Sequence, residues 1–269
     1  MTSDGARLGR AAAQWARTHR AHAGGWAMRY RTAGEGPPIV LVHGLGCSAD
    51  YWMKNGPWLA ASGYRVLAMD LPGFGRTEGP PFLSIIQQAF AVSAFVETLQ
   101  LGPAAYVGHS LSCQTVLELA ATEPERVAGL VLAAPTGDRR RKRLLYEAIG
   151  FVQDVPREPP SLVPVIAEAY LRAGPVRWMR TWLGGKRHDT FGAAARVRAP
   201  ALVLVGEDDP VSSPKFGGAL ARAIPGGRMR VIPDAAHAII FDEPQGFNDA
   251  VLDFVLGIGL SPAPATTTG

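Results

Sequence analysis

YVGHSLSCQTV, residues 106–116, is the stretch on which the fold turns. The apolar run that begins at Ala104 stops at Gly108, and a serine stands two residues later. Beyond it, LSCQTVLELAATEP places Val116, Leu117, Leu119 and Ala120 at helical spacing. A strand, a very tight turn and a helix are expected, with Ser110 lifted clear at the turn. Such a turn brings strand and helix backbones close together, so the residues two before and two after the serine must be small. Gly108 meets the first demand. Ser112 stands where the usual G-x-S-x-G pattern has glycine, and it is the smallest hydroxyl-bearing substitute. Alone, this stretch is compatible with a nucleophile or with an ordinary turn hydroxyl.

Further apolar runs flank it on both sides: Pro38–Gly44, Tyr64–Asp70, Gly129–Pro135, Ala201–Asp209 and Met229–Ala235. They are continuous rather than alternating, as strands buried on both faces are. Helical patterns lie between them at Ser48–Ala61, Ser84–Leu99, Leu111–Thr122, Lys215–Ala223 and Pro244–Leu256. Strand and helix in alternation predict an α/β class: a doubly wound, mostly parallel sheet with helices on both faces. WAMRYRTA (residues 26–33) alternates apolar and polar side chains and reads as an antiparallel edge strand. Residues 1–23 read as a basic amphipathic helix, packed on the domain or frayed, with a membrane-surface role as the alternative. Residues 259–269, with SPAPATTTG, read as a disordered tail. Between Gly137 and Pro200 no strand pattern appears, while Tyr146, Phe151, Tyr170, Trp178, Trp182 and Phe191 accumulate. Residues 138–199 are therefore expected to form a small helical cap inserted into a core of 24–137 and 200–258. An insert at the carboxyl ends of parallel strands lies over the usual ligand crevice.

A serine hydroxyl needs a base, and the base an orienting acid. LVGEDDPV leaves a strand with Asp208 and Asp209 at its carboxyl end, and IPDAAHAIIFDEP leaves the last strand with His237 in the following loop. Ser110, either aspartate and His237 can meet on one rim of the sheet. VLVHGLGCS offers a glycine-rich turn after the first central strand, so the backbone N–H groups of Leu45 and Leu111 are the expected donors to an oxyanion.

HGLG, DLPGFGRT, GHSLS, GEDDPV and DAAHAIIFDEP, in this order, resemble the oxyanion loop, D-x-P-G-x-G turn, nucleophile elbow, acid loop and histidine loop of the α/β-hydrolase fold family, its serine-nucleophile, esterase-like branch. The resemblance covers about residues 24–258. It implies a catalytic triad with Ser110 as nucleophile and His237 as base, and it favours Asp209 as the acid, three residues after Gly206. Some members take the acid from the strand before the lid, which here points to Asp138.

A serine nucleophile excludes the dehalogenase and epoxide-hydrolase branches, because the alkyl ether it would form could not be hydrolysed. The expected enzyme is a carboxylic ester hydrolase acting on a small or medium apolar ester or a lactone, without a cofactor or metal. Hydrolysis of a carbon–carbon bond in a vinylogous diketone is the alternative. That subfamily usually has an aromatic after the histidine and an asparagine before the serine, where Ala238 and His109 stand here. A non-catalytic small-molecule receptor on the same fold is the other alternative. His109, Trp52, Trp178 and Trp182 are candidate pocket residues; Phe74 is pocket or core, His43 and Asp70 anchor loops, and His188 is a surface residue of the lid.

Lys and Arg total 27 against 23 Asp and Glu, without a continuous basic stripe, so no nucleic-acid partner is expected. DRRRKR (138–143) reads as a solvated helix face or an anion contact. Cys47 and Cys113 are expected to be small buried groups, too few for a disulfide framework. No apolar run is long enough to span a membrane and no secretory leader pattern is present; a cytoplasmic protein without stable membrane insertion is expected.

Overall fold

Along β3 (Pro38–Val42), Ile39 and Leu41 point to one face of a sheet while Val40 and Val42 point to the other, and all four are fully buried. A strand alternates its side chains, so only a strand covered on both sides can be apolar at every position. The same holds for β5 (Ala104–His109), with Ala104 and Tyr106 opposite Ala105 and Val107. This computed structural model describes residues 3–137 and 160–263.

Chain order begins with α1 (Ser3–Trp15), β1 (His19–Ala23), β2 (Trp26–Ala33) and β3, then α2 (Gly56–Ala61) and β4 (Arg65–Met69). Next come α3 (Ile85–Thr98), β5, α4 (Ser112–Thr122) and β6 (Val127–Ala133). Between β6 and β7, in the region read as a cap, the described residues form three helices: α5 (Val163–Ala173), α6 (Pro175–Arg187) and α7 (Thr190–Arg196). The chain returns to the sheet with β7 (Ala201–Gly206), α8 (Pro214–Ala223) and β8 (Arg228–Ile232), and ends in α9 (Ile239–Asp242) and α10 (Pro244–Gly257). The eight described strands form one sheet ordered β1-β2-β4-β3-β5-β6-β7-β8, parallel from β4 to β8 and antiparallel at β1 and β2. Apolar residues of α3, α4 and α8 cover one face, and those of α1, α2 and α10 the other.

After β3 the chain goes to β4 on one side; β5 lies on the other. The strand order thus reverses between β3 and β5, and the loops leaving their carboxyl ends border an open crevice. Those are the loops after His43 and at Ser110.

Three boundaries differ from the sequence reading. Residues 1–23 are not one helix: it ends at Trp15, and His19–Ala23 pair with Trp26–Ala33 as an outer strand. WAMRYRTA is consequently an inner strand, between β1 and β4. Its polar residues mislead because Arg29 is fully buried, neutralised by Asp70 and Asp50. The stretch read as a disordered tail from 259 is docked at least through Ala263, whose N–H donates to the Gly63 carbonyl at 2.9 Å, while the Tyr64 hydroxyl donates to Leu260 O at 2.8 Å. The DRRRKR run and Asp138 lie outside the described residues.

Candidate active site

Gly108 closes β5 where α4 passes directly over it. A Cβ there would sit 2.8 Å from Ser112 O and 2.9 Å from Val116 Cγ2, so no other residue fits without moving backbone. Ser110 follows at φ +56°, a left-handed conformation that non-glycine residues adopt at a cost of order 1–3 kcal/mol. Its N–H donates to Ala133 O at 2.8 Å, which fixes the turn to β6.

Ser112 shows why glycine is dispensable at its position. Its hydroxyl accepts from the His109 N–H at 2.9 Å and lies 2.7 Å from Val42 O and 2.9 Å from His109 O, either of which can accept its proton. The hydroxyl thereby ties the elbow to the end of β3. Ser112→Ala is expected to remove the tie between the elbow and β3 and to cost about 0.5–1.5 kcal/mol, read as a lower urea midpoint; an unchanged midpoint would show the tie to be dispensable.

His237 arrives from the loop after β8. Its Nε2 is 3.0 Å from Ser110 Oγ and its Nδ1 is 2.9 Å from Asp209 Oδ2. A carboxylate only accepts, so Nδ1 carries the proton and Nε2 presents its lone pair to the serine hydroxyl. Asp209 Oδ1 accepts the N–H groups of Val211 and Ser212, each at 2.7 Å. Ser110, Asp209 and His237 are all buried, whereas neighbouring Asp208 is exposed. The resemblance favours Asp209 over Asp208, and the turn after β7 sends Asp209 inward while leaving Asp208 exposed.

Leu45 borders a cavity beside Ser110, and Leu111 follows the serine directly at the start of α4. Among the described residues, no hydrogen bond of the fold uses either N–H. The cavity is about 40 Å³, room for roughly one water. Its floor includes Gly44, Tyr51, His109 and Ala238, and its roof is Ile166, Tyr170 and Trp178 of the cap. The roof presses on the loop at Gly46, at φ +77°, where a Cβ would come within 2.7 Å of the Tyr170 ring and 2.8 Å of Trp178.

Of the four pocket candidates, His109 and Trp178 line the cavity. Trp182 does not: it packs behind Trp178, ring centroids 5.8 Å apart. Trp52 does not either; it is fully buried between Tyr51 and Phe247, on the helical layer beneath the loop. Phe74 is core, edge-on to His43. Tyr51, Ile166 and Tyr170 escaped the sequence reading as specific lining residues, because an aromatic or aliphatic side chain does not reveal which face of its element it occupies. His188 is no surface residue: its side chain is 7% exposed and pairs with Glu118 of α4 at 3.0 Å, tying the cap to the serine's helix.

Two histidines support the loops. His43 Nδ1 donates to Gly44 O at 2.8 Å and Nε2 accepts from Leu71 N–H at 3.1 Å. Asp70 accepts the N–H groups of Ala49 at 2.6 Å and Arg76 at 2.7 Å, holding both neighbouring loops. His109 Nε2 donates to His237 O at 2.9 Å, bracing the loop that carries His237. Burial first, and the neighbouring His237 second, push His109 down to about 3; burial also lowers His43. Unfolded, such rings titrate near 6.5. For His109 the unfolded chain holds more protons between about 6.5 and about 3, so stability falls as pH drops through that window, by up to about 1.4 kcal/mol per pH unit; His43 acts in the same direction. His109→Gln is expected to flatten the acid side of a Tm-versus-pH curve; an unaltered slope would remove His109 as a source. Cys113 is buried, and burial pushes its thiol up.

Among the described residues, no group of three or more His, Cys, Asp or Glu side chains is arranged to hold a metal, and no helix is long and apolar enough to cross a membrane.

Known proteins share this arrangement of chain. The Mycobacterium tuberculosis protein BpoC, whose name describes a non-heme bromoperoxidase, is 28% identical over 257 residues, covering 86% of this chain and 98% of that one. The 2-hydroxy-6-oxo-6-(2'-aminophenyl)hexa-2,4-dienoic acid hydrolase of Metapseudomonas resinovorans is 26% identical over 265 residues, covering 87% and 89%. The solved enol-lactonase of Burkholderia xenovorans LB400 superposes with a TM-score of 0.72 at 26% identity, covering 88% of this chain and all of that one. A family model described as the alpha/beta hydrolase family matches residues 39–250, from β3 into α10, spanning the serine, the aspartate and the histidine. With its sheet order, its elbow and this match in agreement, the chain belongs to the alpha/beta hydrolase family.

Proposed function

We propose that this hydrolase cleaves a small or medium apolar carboxylic ester or lactone through an acyl-enzyme on Ser110. The observation that carries the reading is the hydrogen-bonded series from Ser110 Oγ through His237 to Asp209, at 3.0 and 2.9 Å. Ser110 attacks the carbonyl while His237 Nε2 takes its proton. The N–H groups of Leu45 and Leu111 receive the oxyanion, assisted by the positive end of α4. His237 then protonates the leaving alkoxide and activates water against the acyl-enzyme. Asp209 holds the imidazole in the required tautomer and stabilises its charge. The apolar roof of Ile166, Tyr170 and Trp178 suits an apolar substrate. The enol-lactonase relative supports a lactone among the candidates.

p-Nitrophenyl esters of graded chain length, run beside a lactone and a vinylogous diketone, test this. Ester or lactone turnover that vanishes in Ser110→Ala is expected. Faster turnover of the diketone would favour carbon–carbon bond cleavage; the Metapseudomonas relative is named as a hydrolase of an oxo-dienoic acid. A folded protein that neither turns over any of them nor reacts with a fluorophosphonate would favour a receptor.

Trp178→Ala is expected to extend the preferred acyl chain, with relative kcat/KM for octanoate over acetate esters rising about tenfold, as burial of a few methylenes allows. Trp182→Ala should shift the ranking less. Equal shifts would place both indoles against the acyl chain.

A further inference from the structure

We propose that cap helix α5 walls two sites, and that its face turned away from Ser110 binds a single-chain anionic amphiphile, such as a medium-chain carboxylate. Helical spacing divides α5. Ile166 and Tyr170, four residues apart, face the catalytic cavity. Val165, Glu168, Ala169 and Arg172 line a separate trough of about 540 Å³ between α5, α1 and the segment from Ser48 to Pro57. That volume lies within the ordinary range for small-molecule sites, about 300–1,000 Å³; the catalytic cavity does not.

The trough's walls are mostly apolar, its floor carries the paired Asp50 and Arg31, and one end is cationic. Trp15, Met53, Pro57, Pro164 and Val165 form its walls. Asp50 in its floor is neutralised by Arg29 and Arg31. At Gly75, Arg76 and Arg172 the trough runs into a cleft of about 730 Å³ that also holds Arg20 and Arg177. Four arginines there face two carboxylates, Glu78 and Glu168. Arg177 is held by the carbonyls of Gly79, Pro80 and Ala173, and Arg20 by those of Ala27 and Arg76. Arg76 and Arg172 each give one N–H to Glu168, at 3.1 Å; among the described residues their other side-chain N–H groups have no protein acceptor.

Guanidinium forks with spare donors suit a carboxylate or phosphate head, which they can bind bidentately. The apolar trough continuing from them suits an alkyl chain. A neutral chain would leave the excess positive charge unanswered, and a small anion would leave the trough empty.

Calorimetric titration of the full chain carrying Ser110→Ala tests the site without hydrolysis, so its failure and that of the esterase reading are separable. The probes are octanoate, octyl phosphate, 1-octanol and acetate. Octanoate or octyl phosphate is expected to bind at least tenfold more tightly than 1-octanol or acetate, and whichever of the two binds better identifies the head group. Arg76→Ala with Arg172→Ala, and separately Val165→Asp, should each weaken that binding at least tenfold, with the folded state checked by circular dichroism. Raising the salt should weaken binding of the anions and leave 1-octanol unaffected. Equal binding of 1-octanol and octanoate would overturn the proposal. So would unchanged affinity in the double arginine variant, or loss of octanoate binding in Tyr170→Ala alone, which would put the ligand in the catalytic cavity.

Discussion

Asp209→Asn is expected to lower kcat for ester hydrolysis by about 10⁴ while Asp208→Asn changes it less than about twofold. Asp209 Oδ1 is held by two backbone N–H groups, from Val211 and Ser212. An asparagine must keep its carbonyl oxygen there, so its NH₂ turns toward His237 Nδ1. That nitrogen then becomes the acceptor and the ring proton moves to Nε2, facing Ser110. An imidazole so protonated cannot take the serine's proton. Both retained backbone bonds keep the loop folded, so Tm should stay within a few degrees of the parent. Asp208 is exposed, and the hydrogen bond that fixes it runs from its backbone N–H to Ala235 O. Comparable losses in the two variants would reverse the assignment of the acid.

Ser110→Ala is expected to cut kcat by about 10⁴–10⁶, leaving the residual that oxyanion donors and binding supply. Alanine accepts φ +56° no worse than serine, so stability should be nearly unchanged. Ser110→Gly should be as inactive yet more stable, by roughly 1 kcal/mol, since glycine carries no penalty at positive φ. Retained turnover in either variant would remove the acyl-enzyme. Equal stability of the alanine and glycine variants would show that the elbow stores little strain.

The central strands were legible because they are covered on both faces. Ile39 to Val42 and Ala104 to Val107 must be apolar throughout, and such runs stand out in any reading. The outer strand His19–Ala23 was hidden for the opposite reason. It lies at the edge, its pattern HRAHA carries three polar residues, and a helix directly precedes it. Arg29 made β2 look like an edge, because a buried guanidinium is acceptable only with partners that are far off in sequence, Asp50 and Asp70. The cap aromatics were visible as a group but not individually. Trp178 and Trp182 are four residues apart on α6, yet only Trp178 reaches the cavity, and Trp52 sits in a different layer.

Local chemistry determined the order of elements, the elbow at Gly108–Ser110–Ser112, and the loops that could supply a base and an acid. These follow from rules acting over a few residues: side-chain alternation, small residues at a tight turn, and polar groups at strand ends. Only the tertiary structure decided which of two adjacent aspartates turns inward, that the Ser112 hydroxyl bonds to a strand far away in the chain, and that helix α5 separates the small cavity beside Ser110 from an arginine-lined trough. Those outcomes depend on which surfaces meet when the sheet closes and the cap packs down, and contacts between distant segments leave no mark in the spacing of residues along either one.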